Sequence, residues 1–134
     1  MILNVSYNDP KITRTLNTEL GPAYSMLQRI KLGGTGSPRL IIHDCSEHFN
    51  EYLHHSSDLP YANIELRPRG LLLRFRYLLE TMAWLLPAQG LVWKTNGDFL
   101  VLSSGDVWLS LRPAGKNLPE AVRFMEKAEI RFQV

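Results

Sequence analysis

All four histidines and the only cysteine lie between His43 and His55, in the order His43, Cys45, His48, His54 and His55. Imidazole and thiolate groups suit zinc, and His43, Cys45, His48 and His55 could complete a tetrahedron around it. His48 and His55 could share a helix face, and His43 and Cys45 a strand face, although their spacing matches no established zinc pattern. Cys45 beside His43 or His48 also suggests a thiol nucleophile whose pKa an imidazole lowers, a device that needs a third group to orient the ring. The plainer reading is an exposed, histidine-rich helix end next to a buried cysteine.

A second group, Arg67, Arg69, Arg74 and Arg76, surrounds a turn at Pro68-Arg69-Gly70. Forked guanidinium groups bind phosphate, carboxylate or an acidic protein surface. Glu65 and Glu80 could instead pair with these arginines across strands and leave a solvated sheet face. A nucleic-acid partner is not expected, because the formal charge is only +2 and no aromatic platform is interleaved with the basic positions. Gly33, Gly34 and Gly36 lack the Lys-Ser/Thr ending of a P-loop and the spacing of a dinucleotide fingerprint, so they read as an internal loop.

The elements that must position these residues change character along the chain. Asp9-Pro10 can open a helix that carries Ile12, Leu16 and Leu20 as far as Gly21-Pro22. Ala23, Tyr24, Leu27 and Ile30 form a second segment, unless the two are one kinked helix. Ile2 to Val5 could be a short strand before them. Arg39 to His43 reads as a strand, and Ser46-Glu47 could start a helix through Phe49, Tyr52 and Leu53 that ends at Asp58-Leu59-Pro60.

From Tyr61 the period is two. Ala62, Ile64 and Leu66 alternate with polar residues, and after the turn so do Leu71, Leu73, Phe75 and Tyr77, which places Arg74 and Arg76 on one face of a hairpin. Thr81 to Leu86 supplies the next strand. Asn96-Gly97 and Ser103-Ser104-Gly105 are hairpin signals that separate Leu91 to Thr95, Phe99 to Leu102 and Asp106 to Leu111. Trp84, Trp93 and Trp108 should anchor the sheet, with Trp108 the best candidate for an exposed contact because it shares parity with Ser110 and Arg112. Asn117 and Glu120 resemble a capping box before an amphipathic helix from Leu118 to about Ala128. Ile130, Phe132 and Val134 alternate afterwards as a final strand or extended tail.

This order predicts an α+β fold: a curved antiparallel sheet or pleckstrin-homology-like partial barrel with a C-terminal helix, preceded by a helical N-terminal part. The chain is expected to be a single domain over residues 1–134, with the helical part at 1–36 and the sheet and last helix at 39–134. The stretch from Tyr61 to Pro87 resembles a group of small uncharacterised bacterial proteins. The resemblance rests on Asn63-Ile64-Glu65-Leu66-Arg67-Pro68, the Arg76 strand, and Leu79-Glu80-Thr81 leading to Trp84 and Pro87. It implies a bacterial origin and supplies no catalytic residues to carry over. In lipid-binding pleckstrin-homology domains, basic residues around the first hairpin grip inositol phosphates, and the arginine hairpin is a loose parallel.

At 134 residues, 45% hydrophobic and 21% charged, the chain can bury one core without staples. The most apolar stretch, Leu71 to Leu86, carries Arg74, Arg76 and Glu80, so no integral membrane segment is expected. The single cysteine and the lack of a secretory leader point to the cytoplasm. The reading favoured by these observations is a non-enzymatic binding or protein-interaction module that recognises a protein or small anionic ligand through a sheet edge or the arginine hairpin. Edge strands could also pair two copies. A metal- or thiol-dependent enzyme centred on residues 43–55 is the alternative.

Overall fold

The computed structural model describes residues 1–53, 60–115 and 118–133. Among these, β1 (Ile2–Asn4) precedes α1 (Pro10–Leu20) and α2 (Met26–Leu32), and β2 (Leu40–Cys45) leads through a 3-10 turn into α3 (Asn50–Leu53). A run of six strands follows: β3 (Tyr61–Arg67), β4 (Gly70–Tyr77), β5 (Glu80–Pro87), β6 (Leu91–Asn96), β7 (Phe99–Ser104) and β8 (Val107–Pro113). The last helix is α4 (Leu118–Phe132).

All eight strands belong to one open antiparallel sheet in the order β1-β5-β4-β3-β2-β8-β7-β6. β3 to β5 form one meander and β6 to β8 another, and β2 joins them by pairing with both β3 and β8. Alternation along each strand sorts side chains onto two faces. Leu40, Ile42, Ile64, Leu66, Leu73, Phe75, Trp84, Leu86, Leu102 and Leu111 share the inner face, where Ala121, Phe124, Met125 and Ala128 of α4 complete the core. Phe49 enters this core edge-on to Phe75 and Trp84, with ring centres 6.0 and 5.2 Å away.

The outer face is divided. Over β4 and β5 it is covered by α1, whose Leu16 and Leu20 pack with Leu72, Ala83 and Leu85. This explains the unbroken apolar run Leu71-Leu72-Leu73: the strand is buried on both faces there, and each buried leucine contributes roughly 1.5–3 kcal/mol. The Asp9 side chain accepts from the Lys11 N–H at 2.9 Å and so caps the start of α1, with Pro10 in its first turn. Beyond the helix, over β3, β2 and β8, the outer face is uncovered by α1.

The short strand read at Ile2 to Val5 forms as β1 beside β5, and α1 and α2 are two separate helices with Gly21 and Pro22 between them rather than one kinked helix. Other expectations change. Residues 130 and 132 belong to α4, which runs to Phe132, so no final strand or extended tail forms there. Phe132 packs against the core, a tertiary contact that overrides the alternation of the sequence. Trp84 is fully buried, whereas Trp93 and Trp108 are half-buried. Asn117, the expected cap of α4, lies outside the described residues.

Candidate functional site

The four hairpin arginines have different surroundings. Arg67, only 6% exposed, donates through Nε to the Glu65 carboxylate and through Nη1 to the Gly21 carbonyl at 3.1 Å. Arg69 donates to the carbonyls of Asn17 and Thr18, both at 2.9 Å, and so caps the C-terminal turn of α1. These two tie the hairpin to the helix. Arg74 donates to the other Glu65 oxygen at 2.8 Å, and Arg76 is exposed.

Glu65 therefore holds two guanidinium groups. Burial pushes its pKa up, but the hydrogen bond and charge of Arg74, together with the charge and hydrogen bond of Arg67, outweigh this and hold it below the ordinary glutamate value. The pairing of Glu65 with arginines matches one sequence-based alternative. Glu80, the other acid named in that reading, receives the Tyr7 hydroxyl at 3.5 Å.

Strand register adds residues that sequence reasoning missed. Asn63 stands opposite Arg74, Tyr61 opposite Ile41, and Ile41 opposite Arg112, all on the outer face. Arg39, just before β2, stacks its guanidinium 3.7 Å from the centre of the Tyr61 ring. Arg39, Tyr61, Asn63, Arg74, Arg76 and Thr81 thus share one shallow depression of about 210 Å³. Among the described residues neither Arg39 nor Arg76 has an ion-pair partner, and the nearby carboxylate of Glu65 is already occupied. Arg39 and Arg76 line the depression as cations without an ion-pair partner among the described residues, and Arg74, paired with Glu65, keeps further N–H donors, so a phosphate or carboxylate there could accept several charge-assisted hydrogen bonds. Stacking on Tyr61 fixes the plane of Arg39, which lowers the entropy lost when its fork engages an anion.

Among the described residues, His43, Cys45 and His48 do not converge. His43 sits at an irregularity between Ile42 and Asp44 in β2, with its ring stacked on Phe99 at 4.3 Å. His48 turns its Nδ1 to the Ser46 hydroxyl at 3.0 Å. Cys45 packs partly against the core, and burial followed by the charge of Asp44 pushes its thiol pKa up, away from the thiolate a nucleophile needs. Among the described residues no three metal-ligating side chains group together, and His55 lies outside those residues.

A second concavity, about 370 Å³, separates β6 from α4 and is lined by Leu91, Trp93, Met125, Ala128 and Phe132, with Gln89, Glu129 and Gln133 among its polar residues. Among the described residues no helix is long and apolar enough to cross a membrane. Comparison with protein-family models, curated proteins and solved structures finds no match.

Proposed function

We propose that this protein is a non-enzymatic binding module, built on a pleckstrin-homology-like sheet, whose outer face recognises a phosphate- or carboxylate-bearing ligand. The observation that carries the reading is the depression bounded by Arg39, Arg74 and Arg76, with Arg39 stacked on Tyr61. The two meanders joined through β2, with α4 against the apolar face, are in keeping with the pleckstrin-homology-like part. A binding role is favoured over catalysis because the depression offers hydrogen-bond donors and positive charge. The groups best suited to proton transfer or nucleophilic attack, His43, Cys45 and His48, are engaged elsewhere.

Titration of the protein with inorganic phosphate, followed by backbone amide NMR shifts, tests this. Shifts should concentrate at residues 39, 61–63 and 74–76. Arg74→Ala and Arg76→Ala should each weaken binding about tenfold, as expected for losing one charge-assisted hydrogen bond, whereas Lys94→Ala on β6 should leave it unchanged. Unchanged affinity in both arginine variants overturns the assignment.

A further inference from the structure

Helix α2 is firmly built and yet turns its apolar side chains to solvent. Its start is a complete capping box: the Ser25 hydroxyl accepts from the Gln28 N–H at 3.2 Å, and the Gln28 side chain accepts from the Ser25 N–H at 2.9 Å. Its end is closed by Gly33 in the left-handed conformation, φ 74°. Buried Tyr24 before the helix and half-buried Leu32 at its end both pack on the core. Lys127 of α4 adds a hydrogen bond to the Gly34 carbonyl at 2.8 Å. Against this fixed frame Met26, Leu27 and Ile30 are 79, 62 and 71% exposed.

The helical wheel gives the arrangement its meaning. At about 100° per residue, Met26, Ile30 and Leu27 fall within one arc of roughly 100°, and Leu32 points to the opposite side. Arg29 lies about 60° beyond one margin of that arc and Lys31 about 40° beyond the other. The helix has no acidic residue. An apolar ridge bordered on both sides by cations is complementary to a surface that is apolar within and anionic at its rim.

We propose that α2 seats this protein on a bilayer surface containing anionic phospholipid. Met26, Leu27 and Ile30 enter the acyl boundary, while Lys31 and the terminal nitrogens of Arg29, whose Nε donates to the Tyr24 carbonyl at 3.0 Å, meet the headgroup phosphates. The three apolar side chains project from a helix that buries none of its residues, so they can enter a deformable lipid interface without requiring a matching groove. The short apolar ridge makes this seating reversible and dependent on both the apolar and the charged contacts.

Co-sedimentation of the full chain with vesicles tests the proposal. The protein should pellet with phosphatidylserine–phosphatidylcholine vesicles, remain in solution with pure phosphatidylcholine, and dissociate in about 0.5 M NaCl. The triple variant Met26→Ser/Leu27→Ser/Ile30→Ser and the double variant Arg29→Glu/Lys31→Glu should each lower partitioning at least about tenfold. Thermal melts of the triple variant should match wild type, because its substituted side chains are exposed, whereas the double variant also loses the Arg29 hydrogen bond to the Tyr24 carbonyl and is compared at a temperature where its melt shows it folded. Lys94→Ala, which removes an exposed cation on β6, should pellet like wild type, so that loss of one positive charge elsewhere does not by itself release the protein. Failure of the wild type to pellet with anionic vesicles overturns the proposal. So does full retention of binding by the triple variant, which would assign any lipid contact to another surface. Pull-down of an acidic protein partner by α2 without vesicle binding also overturns it.

Discussion

Glu65 controls whether the arginine face carries a site or a repulsive cluster. Its side chain retains 18% accessibility while it serves Arg67, at 7%, and Arg74, at 31%. Removing this carboxylate leaves the Arg67 charge buried beside one backbone carbonyl, so Glu65→Gln should cost about 3 kcal/mol, the lower end for a broken buried pair. The folded-state pKa is depressed, so the stabilisation is present above the unfolded value and is lost as pH falls through the folded value. Denaturant unfolding should therefore show the largest difference between wild type and Glu65→Gln above about pH 5, narrowing steadily as the solution is made more acidic. A constant difference across that range would dissociate Glu65 ionisation from stability. The parity of Arg74 and Arg76 was legible from sequence. The inclusion of Arg39 was not, because its position beside Tyr61 follows from the β2–β3 register across a long connection.

Among the elements, α1 shows how packing changes a strand pattern. Leu72 shares parity with Arg74 and Arg76, and on sequence alone it belongs with the polar positions. The helix buries it, together with Ala83 and Leu85 on the neighbouring strand. Close approach of α1 to the hairpin depends on Gly70: a Cβ there would stand 2.4 Å from the Leu86 carbonyl oxygen and 2.7 Å from Leu20 Cδ2. Backbone oxygen cannot move aside as a side-chain tip can, so Gly70→Ala should destabilise the protein by about 1–3 kcal/mol through overpacking. A denaturant midpoint unchanged from wild type would contradict that tight contact. The capping of α1 by Arg69 is likewise long-range in sequence, with partners at Asn17 and Thr18, and no local motif announces it. By contrast, the Asp9-Pro10 start of α1 and a hairpin near Asn96-Gly97 were readable from local backbone chemistry, although the loop lies one residue later than expected, at Gly97-Asp98, with Asn96 paired to Phe99 at the end of β6.

For the whole molecule, the alternating half of the sequence correctly implied antiparallel strands followed by a helix, while the full strand order depended on a segment whose pattern is too short to be decisive. β1 has only three residues, and nothing in Ile2-Leu3-Asn4 specifies β5 as its partner. Its pairing places Ile2 opposite Trp84 and Leu3 opposite Ala83, across most of the intervening chain. Closing such a loop is entropically costly until the β3–β5 meander has formed. Leu3→Ala should therefore speed unfolding with little change in the refolding rate when chevrons are compared, and a matching slowdown of refolding would place β1 in the folding nucleus instead. This arrangement also has a consequence during synthesis. β1 and α1 leave the ribosome well before β4 and β5, so their apolar side chains spend that interval without their seats. β1 is obliged to wait for a partner made roughly eighty residues later, at a rate of about 5–20 residues per second.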